Sequence, residues 1–185
     1  METLEAINKR ASLKTHLSAR DVEQDKIIKI LEAARLAPSA TNEQPWRFVV
    51  VKGKENVENV VTRASRMGKK AFDEATVLIL VFVNPKDYVF PDGKTFYLLD
   101  VGLAMENILL AATDLGLITH PMASLDEGKL KEMLGVPDEM EFVIATPLGY
   151  PVEGSCEEAA QERLSQRTRK DLKELVCMNT WGKPF

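Results

Sequence analysis

The chain has 185 residues, of which 45% are hydrophobic, 28% charged and 6% aromatic, with a formal net charge of -4 and a pI near 5.4. A chain of this length buries roughly two-thirds of its unfolded surface around its own core, and the composition excludes disordered, collagen-like and disulfide-stapled classes. The mild acidity gives no global attraction to nucleic acid or an anionic membrane, METLEAINKRASLK lacks the apolar core of a signal peptide, and no uncharged run reaches the roughly 18 residues of a membrane span, so a cytoplasmic protein is expected.

From Asp21 to Ala37, the residues Ile27, Ile30, Leu31 and Ala34 fall at the i, i+3, i+4, i+7 spacing of an amphipathic helix. Asp21, with Gln24 three residues on, fits a capping box, and Pro38 enforces the stop. WRFVVV alternates Trp46, Phe48 and Val50 against Arg47, Val49 and Val51, the period of a strand, with Trp46 expected in the core. Val57, Val60, Val61 and Ala64 predict a short helix. Thr76 to Val83, TVLILVFV, is a continuous apolar run closed by Asn84-Pro85, as expected of a strand buried on both faces.

Leu98 to Leu115 predicts a longer helix, apolar around most of its circumference and placed at the centre of the fold. Asp100, Glu106, Asn107 and Asp114 interrupt it too often for a membrane span. A helix from about Asp126 to Leu134 closes at Gly135 with Pro137 beyond, and EFVIATPLGYP supplies a third strand. From Pro151 the chain turns charged, with room for one more helix and an exposed tail carrying Trp181 and Phe185. No repeat, low-complexity tract or boundary interrupts residues 1–185, so one domain is expected.

No G-x-G-x-x-G, P-loop, G-x-S-x-G or H-E-x-x-H pattern occurs, and His16 and His120 stand alone, so neither a metal site nor a catalytic triad is expected. His120, before Pro121, reads as an exposed or capping residue rather than a proton donor. Cys156 and Cys177 lie in no C-x-x-C and read as ordinary thiols. Two basic clusters stand near the ends of the chain: KRASLK, with Lys9, Arg10, Ser12 and Lys14, and RTRK, with Arg167, Arg169 and Lys170. Singly, each is a solvated charged stretch. Together, with the Ser12 hydroxyl between them, they suit a phosphate, whose oxygens accept bidentate hydrogen bonds from Arg.

APSATNEQPWRF resembles the P-S-x-x-N-x-Q-P-W-x-F segment of the nitroreductase family of FMN-dependent oxidoreductases. KRASLK looks like that family's R-x-S-x-R/K segment, DVGLAMENILLAATDLGL its central helix, LGYP its late strand end and RTRKDLKELV its phosphate-binding tail. The segments follow in family order from Ala6 to Trp181.

The resemblance implies an α+β fold, a mixed β-sheet surrounded by helices, in an intertwined homodimer with an extended C-terminal tail and FMN at the subunit interface. It implies that Arg10, Ala11, Ser12, Arg167 and Arg169 hold the phosphate and ribityl chain and that Lys14 approaches the pyrimidine edge. Pro38, Ser39, Ala40 and Asn42 would reach across from the second subunit, with Gln44 and Trp46 anchoring that wall. Lys70 matches a family lysine near the ring. The backbone N–H of Ala123, flanked by Met122 and Ser124, would face flavin N5.

The implied chemistry is ping-pong and centred on the flavin, with no indispensable side-chain acid or base: NADH or NADPH gives hydride, and a nitroaromatic, quinone or similar acceptor takes it. The short stretch from Asn84 to Thr95, where larger relatives insert lid helices, implies an open pocket. The alternatives are a specialised member, either a reductive dehalogenase or a flavin-consuming enzyme, and a non-catalytic FMN-binding redox protein.

Overall fold

The computed structural model describes residues 1–13, 15–66, 74–88, 93–153 and 155–183, with the side chains of residues 87, 88 and 155–157 outside the description. Lys14, Met67, Lys70 and Phe185 therefore lie outside the described residues. The element order is α1 (Thr3–Lys9), α2 (Gln24–Arg35), β1 (Arg47–Lys52), α3 (Lys54–Ala64), β2 (Val77–Val83), α4 (Tyr97–Asp114), β3 (Ile118–Thr119), α5 (Glu127–Leu134), β4 (Glu141–Gly149), α6 (Ser155–Ser165) and α7 (Leu172–Leu175).

The four strands form one sheet in the order β1-β2-β4-β3, and the fold is α+β as expected. All three strand pairs are antiparallel, and parallel pairing among the described residues comes down to one isolated bridge, Ser12 to Thr119. A bulge between Val81 and Phe82 passes over Val143 in the register with β4.

Strand periodicity divides the interior into two cores. Val77, Ile79, Val81 and Val83 of β2 point to the side of α2 and α4, whereas Leu78, Leu80 and Phe82 point to the side of α3 and α5. Every residue of β2 is buried, which explains its unbroken apolar run. In β1 and the residue before it, the alternation sorts Trp46, Phe48 and Val50 into the first core and Val49 and Val51 into the second. Helix α3 buries Val57, Val60, Val61 and Ala64, the four residues that predict it.

Two local expectations fail for tertiary reasons. Helix α2 is not capped by Asp21: its N-cap is Glu23, which makes no side-chain capping bond. The Glu23 carboxylate is instead taken by the Tyr150 hydroxyl and by Arg20 Nη2 at 2.9 Å. His120 is neither exposed nor a cap, but half-buried after β3, with its backbone N–H donating to Thr146 Oγ1 at 3.1 Å. The tail does expose Trp181, at 98%. Helix α1, strand β3 and the capping box that holds α7 at Asp171 have no counterpart in the expectations.

Candidate functional site

Helix α4 is the axis on which the chain is hung, and its polar interruptions do the hanging. Asp100 Oδ1 accepts from the Ala40 N–H at 3.1 Å, Asn107 Nδ2 donates to Ala33 O of α2 at 2.9 Å, Glu106 stands 3.8 Å from Arg10 Nε, and Asp114 pairs with the Met1 amino group at 2.8 Å. Buried at 3% exposure, Asp100 has its carboxyl pKa raised by desolvation, an effect that the Ala40 N–H opposes.

The two basic clusters meet. A cavity of about 360 Å³ is lined by Arg10, Ala11 and Ser12 from one end of the chain and by Arg163, Gln166, Arg167, Thr168 and Arg169 from the other. The first side is placed by the sheet: Ser12 bridges Thr119 of β3, and the Leu13 N–H donates to Thr119 O at 3.1 Å. Further along, the Ser18 N–H donates to Tyr150 O, and Leu17 fills the space where a Cβ on Gly149 would sit, 2.7 Å from Leu17 Cδ2. The second side is tied to the first by Arg167, whose Nη2 donates to Asn8 O at 3.1 Å and Arg10 O at 2.7 Å. Among the described residues, Glu106 is the carboxylate paired within this cationic cluster.

Arg163 and Gln166 have no place in the sequence motifs. Arg163 lies in the last turn of α6, and only the fold carries that turn back to Arg10.

Other expected residues lie elsewhere. Met122 forms an antiparallel bridge with Ala145 of β4, the Ser124 carbonyl accepts from the Arg66 N–H at 3.2 Å, and the Asp126 N–H donates to Ala64 O at 2.7 Å. These bonds pin residues 122–126 against β4 and the end of α3. Ala123 between them is exposed, and among the described residues its N–H has no acceptor.

The loop from Pro38 to Gln44 contributes no residue to this cavity and is made of unusual backbone: Thr41, Asn42 and Gln44 all have positive φ, which non-glycine residues adopt rarely. Ser39 Oγ accepts from the Gln44 N–H at 2.9 Å, and Gln44 Nε2 donates to Asn42 O at 3.1 Å, so the loop closes on itself. Its anchor Asp100 and the Arg10 partner Glu106 are six residues apart on α4, about 9 Å along the axis and about 120° around it. Within one chain, loop and cavity therefore lie on different sides of α4. The flank of α4 nearby leaves Leu98 and Leu99 about 60% exposed, with Gly102 and Leu103 also open.

Among the described residues no group of three His, Cys, Asp or Glu side chains is placed to hold a metal, and no helix is long and apolar enough to cross a membrane. Cys177 is a free, exposed thiol; the side chain of Cys156 lies outside the description.

The nitroreductase family model matches residues 7–150. An Archaeoglobus fulgidus protein described as a presumptive NADH dehydrogenase/NAD(P)H nitroreductase is 37% identical over 81% of this chain and 86% of its own length. A nitroreductase family protein from Clostridium novyi, 32% identical, superposes with a TM-score of 0.75 over 100% of this chain and 97% of that one. Iodotyrosine deiodinase 1 from Rattus norvegicus is 28% identical over 83% of this chain and 64% of its own length. The chain belongs to the nitroreductase family and is an oxidoreductase of that class.

Proposed function

We propose that the chain is a single FMN-binding domain over residues 1–185 that works in the cytoplasm as a homodimer, oxidising NADH or NADPH and reducing nitroaromatic, quinone or similar acceptors. The observation that carries this reading is the convergence of Arg10, Ser12 and Arg169 on one cavity. The donor set fits the group: guanidiniums and a hydroxyl, with Glu106 as the nearby carboxylate, suit a phosphate dianion, and about 360 Å³ leaves room for the start of a ribityl chain. A related structure supports the choice of cofactor, since a Desulfovibrio desulfuricans protein 26% identical to this chain, with a TM-score of 0.78, was solved in complex with FMN.

FMN, when bound, supplies the acceptance and return of hydride. The chain supplies position. Arg10, Ser12 and Arg169 fix the phosphate, with Ala11 beside it, and the unengaged N–H of Ala123, held between pinned neighbours, donates toward the ring, flanked by Met122 and Ser124. On the family pattern alone, Lys14 is assigned to the pyrimidine edge and Lys70 to the neighbourhood of the ring. Pro38, Ser39, Ala40 and Asn42 form a wall for the other subunit's cofactor. Their absence from the cavity lining of their own chain and the exposed apolar flank of α4 support such a dimer.

Purified protein should carry flavin, or take it up to about one per chain, and should oxidise NADH or NADPH in the presence of a quinone. Arg10→Ala or Arg169→Ala should weaken FMN about tenfold or more while sparing riboflavin, because each removes a charge-assisted contact to phosphate. Protein that stays colourless after reconstitution would sink the reading. A second reading, reductive dehalogenation, is favoured by the similarity to iodotyrosine deiodinase; iodide release from iodotyrosine exceeding quinone reduction would select it.

A further inference from the structure

We propose that Arg163, rather than Arg167, is the third guanidinium holding the cofactor's phosphate, and that Arg167 is a positioning residue that straps the C-terminal segment to the end of α1; this rests on the flavin reading above. The carbonyls of Asn8 and Arg10 belong to the last turn and C-cap of α1, where a helix leaves acceptors unpaired and its dipole is negative. Arg167 Nη2 donates to both, across 159 and 157 residues of sequence. Those bonds fix where Arg167 points and hold Arg169 beside Arg10.

Arg163 is differently placed. It lines the same cavity from the last turn of α6, and among the described residues its guanidinium has no carboxylate in ion-pair range and no hydrogen-bond acceptor. The adjacent Glu162 does not neutralise it, because Glu162 Oε1 accepts from Gln166 Nε2 at 3.0 Å and successive helix residues do not face each other. Four guanidiniums share one cavity with Glu106 as their paired carboxylate, an arrangement whose mutual repulsion a phosphate dianion relieves.

Arg163 also sits where a cation favours the dipole of its own helix, so the test reads ligand preference rather than stability. Apo-protein of the wild type, Arg163→Gln and Arg167→Gln is titrated with FMN and with riboflavin, and amide exchange is followed in each apo form. Arg163→Gln should lose about tenfold in FMN affinity with riboflavin affinity and amide exchange unchanged. Arg167→Gln should speed exchange in the last turn of α1 and in residues 166–170 before any ligand is added. An Arg163→Gln variant that keeps the wild-type preference for FMN over riboflavin overturns the assignment, as does an Arg167→Gln variant that loses that preference with apo exchange unchanged. Wild type that binds both flavins equally rejects the phosphate cavity. Wild type that binds neither rejects the flavin reading and this inference with it.

Discussion

Asp100 shows how one side chain can be both costly and necessary. Burial raises its carboxyl pKa, so the folded state holds the proton more tightly than the unfolded chain, and the penalty grows as pH rises from the ordinary value of 3.8 through the raised one. Its oxygen nevertheless holds the Ala40 N–H and with it the strained loop. Asp100→Asn keeps an acceptor and drops the charge, so its thermal midpoint at pH 7 should match or exceed the wild type. Asp100→Ala should be less stable and should speed amide exchange at Ala40. An Asn variant as damaged as the Ala variant would mean that the charge, not the acceptor, holds the loop.

Glu23 works in the opposite direction: the hydrogen bond from Tyr150, helped by a backbone bond and by Arg20, lowers its pKa from 4.5 to about 2. A depressed folded-state value contributes stability that is present above pH 4.5 and is lost as pH falls toward 2. Arg20 lies 3.8 Å above the Tyr150 ring, and Lys26 Nζ donates to the same hydroxyl at 2.6 Å. Tyr150→Phe should therefore lower the midpoint at neutral pH and flatten its decline between pH 4.5 and 2, as read by thermal melts across that range. An unchanged acid slope would place the acid sensitivity elsewhere.

Elements were legible where local chemistry and tertiary packing agree. Helix α5 is the clearest: Asp126 Oδ1 accepts from the Lys129 N–H at 3.0 Å, and Gly135 ends the helix at φ +63. Asp126→Ala should cost about 0.5–2 kcal/mol, and Gly135→Ala roughly 1–2 kcal/mol, both measurable by denaturant unfolding. If neither shifted the midpoint, tertiary contacts alone would be holding α5. Helix α1 was illegible because Ala6 is its one buried residue, which leaves no apolar stripe to read; its end is secured instead by Arg167. The cap of α2 was misread because Glu23, which local rules leave unremarked, sits at the N-cap with its carboxylate committed to Tyr150, 127 residues away. Two residues of β3 carry too little pattern to register, although they place Ser12.

At the scale of the whole molecule, the proposed site needs two chains. One variant breaks the expected cofactor clamp (Arg10→Glu with Lys14→Glu), another breaks the loop (Ser39→Trp with Asn42→Trp), and each should be inactive alone. Co-expressed heterodimers should regain one working site of two, since the intact cavity of the second chain meets the intact loop of the first. Folded heterodimers that remain without flavin would show that each site is built within a single chain.

By itself the sequence determined what depends on neighbours along the chain: two periodicities that call for helices and strands, the caps and prolines that end them, and two basic clusters suited to an anion. The strand WRFVVV, the buried run TVLILVFV and the stripe of α3 all stand where their spacing puts them, because a residue's face follows from its period alone. Tertiary structure alone decided that Arg10 and Arg169 share a cavity, that Arg163 joins them, and that the Pro38 loop lies on another side of α4. Those relations are set by the sheet order β1-β2-β4-β3 and by a bond between residues 157 positions apart, and no local spacing encodes a distance of that kind.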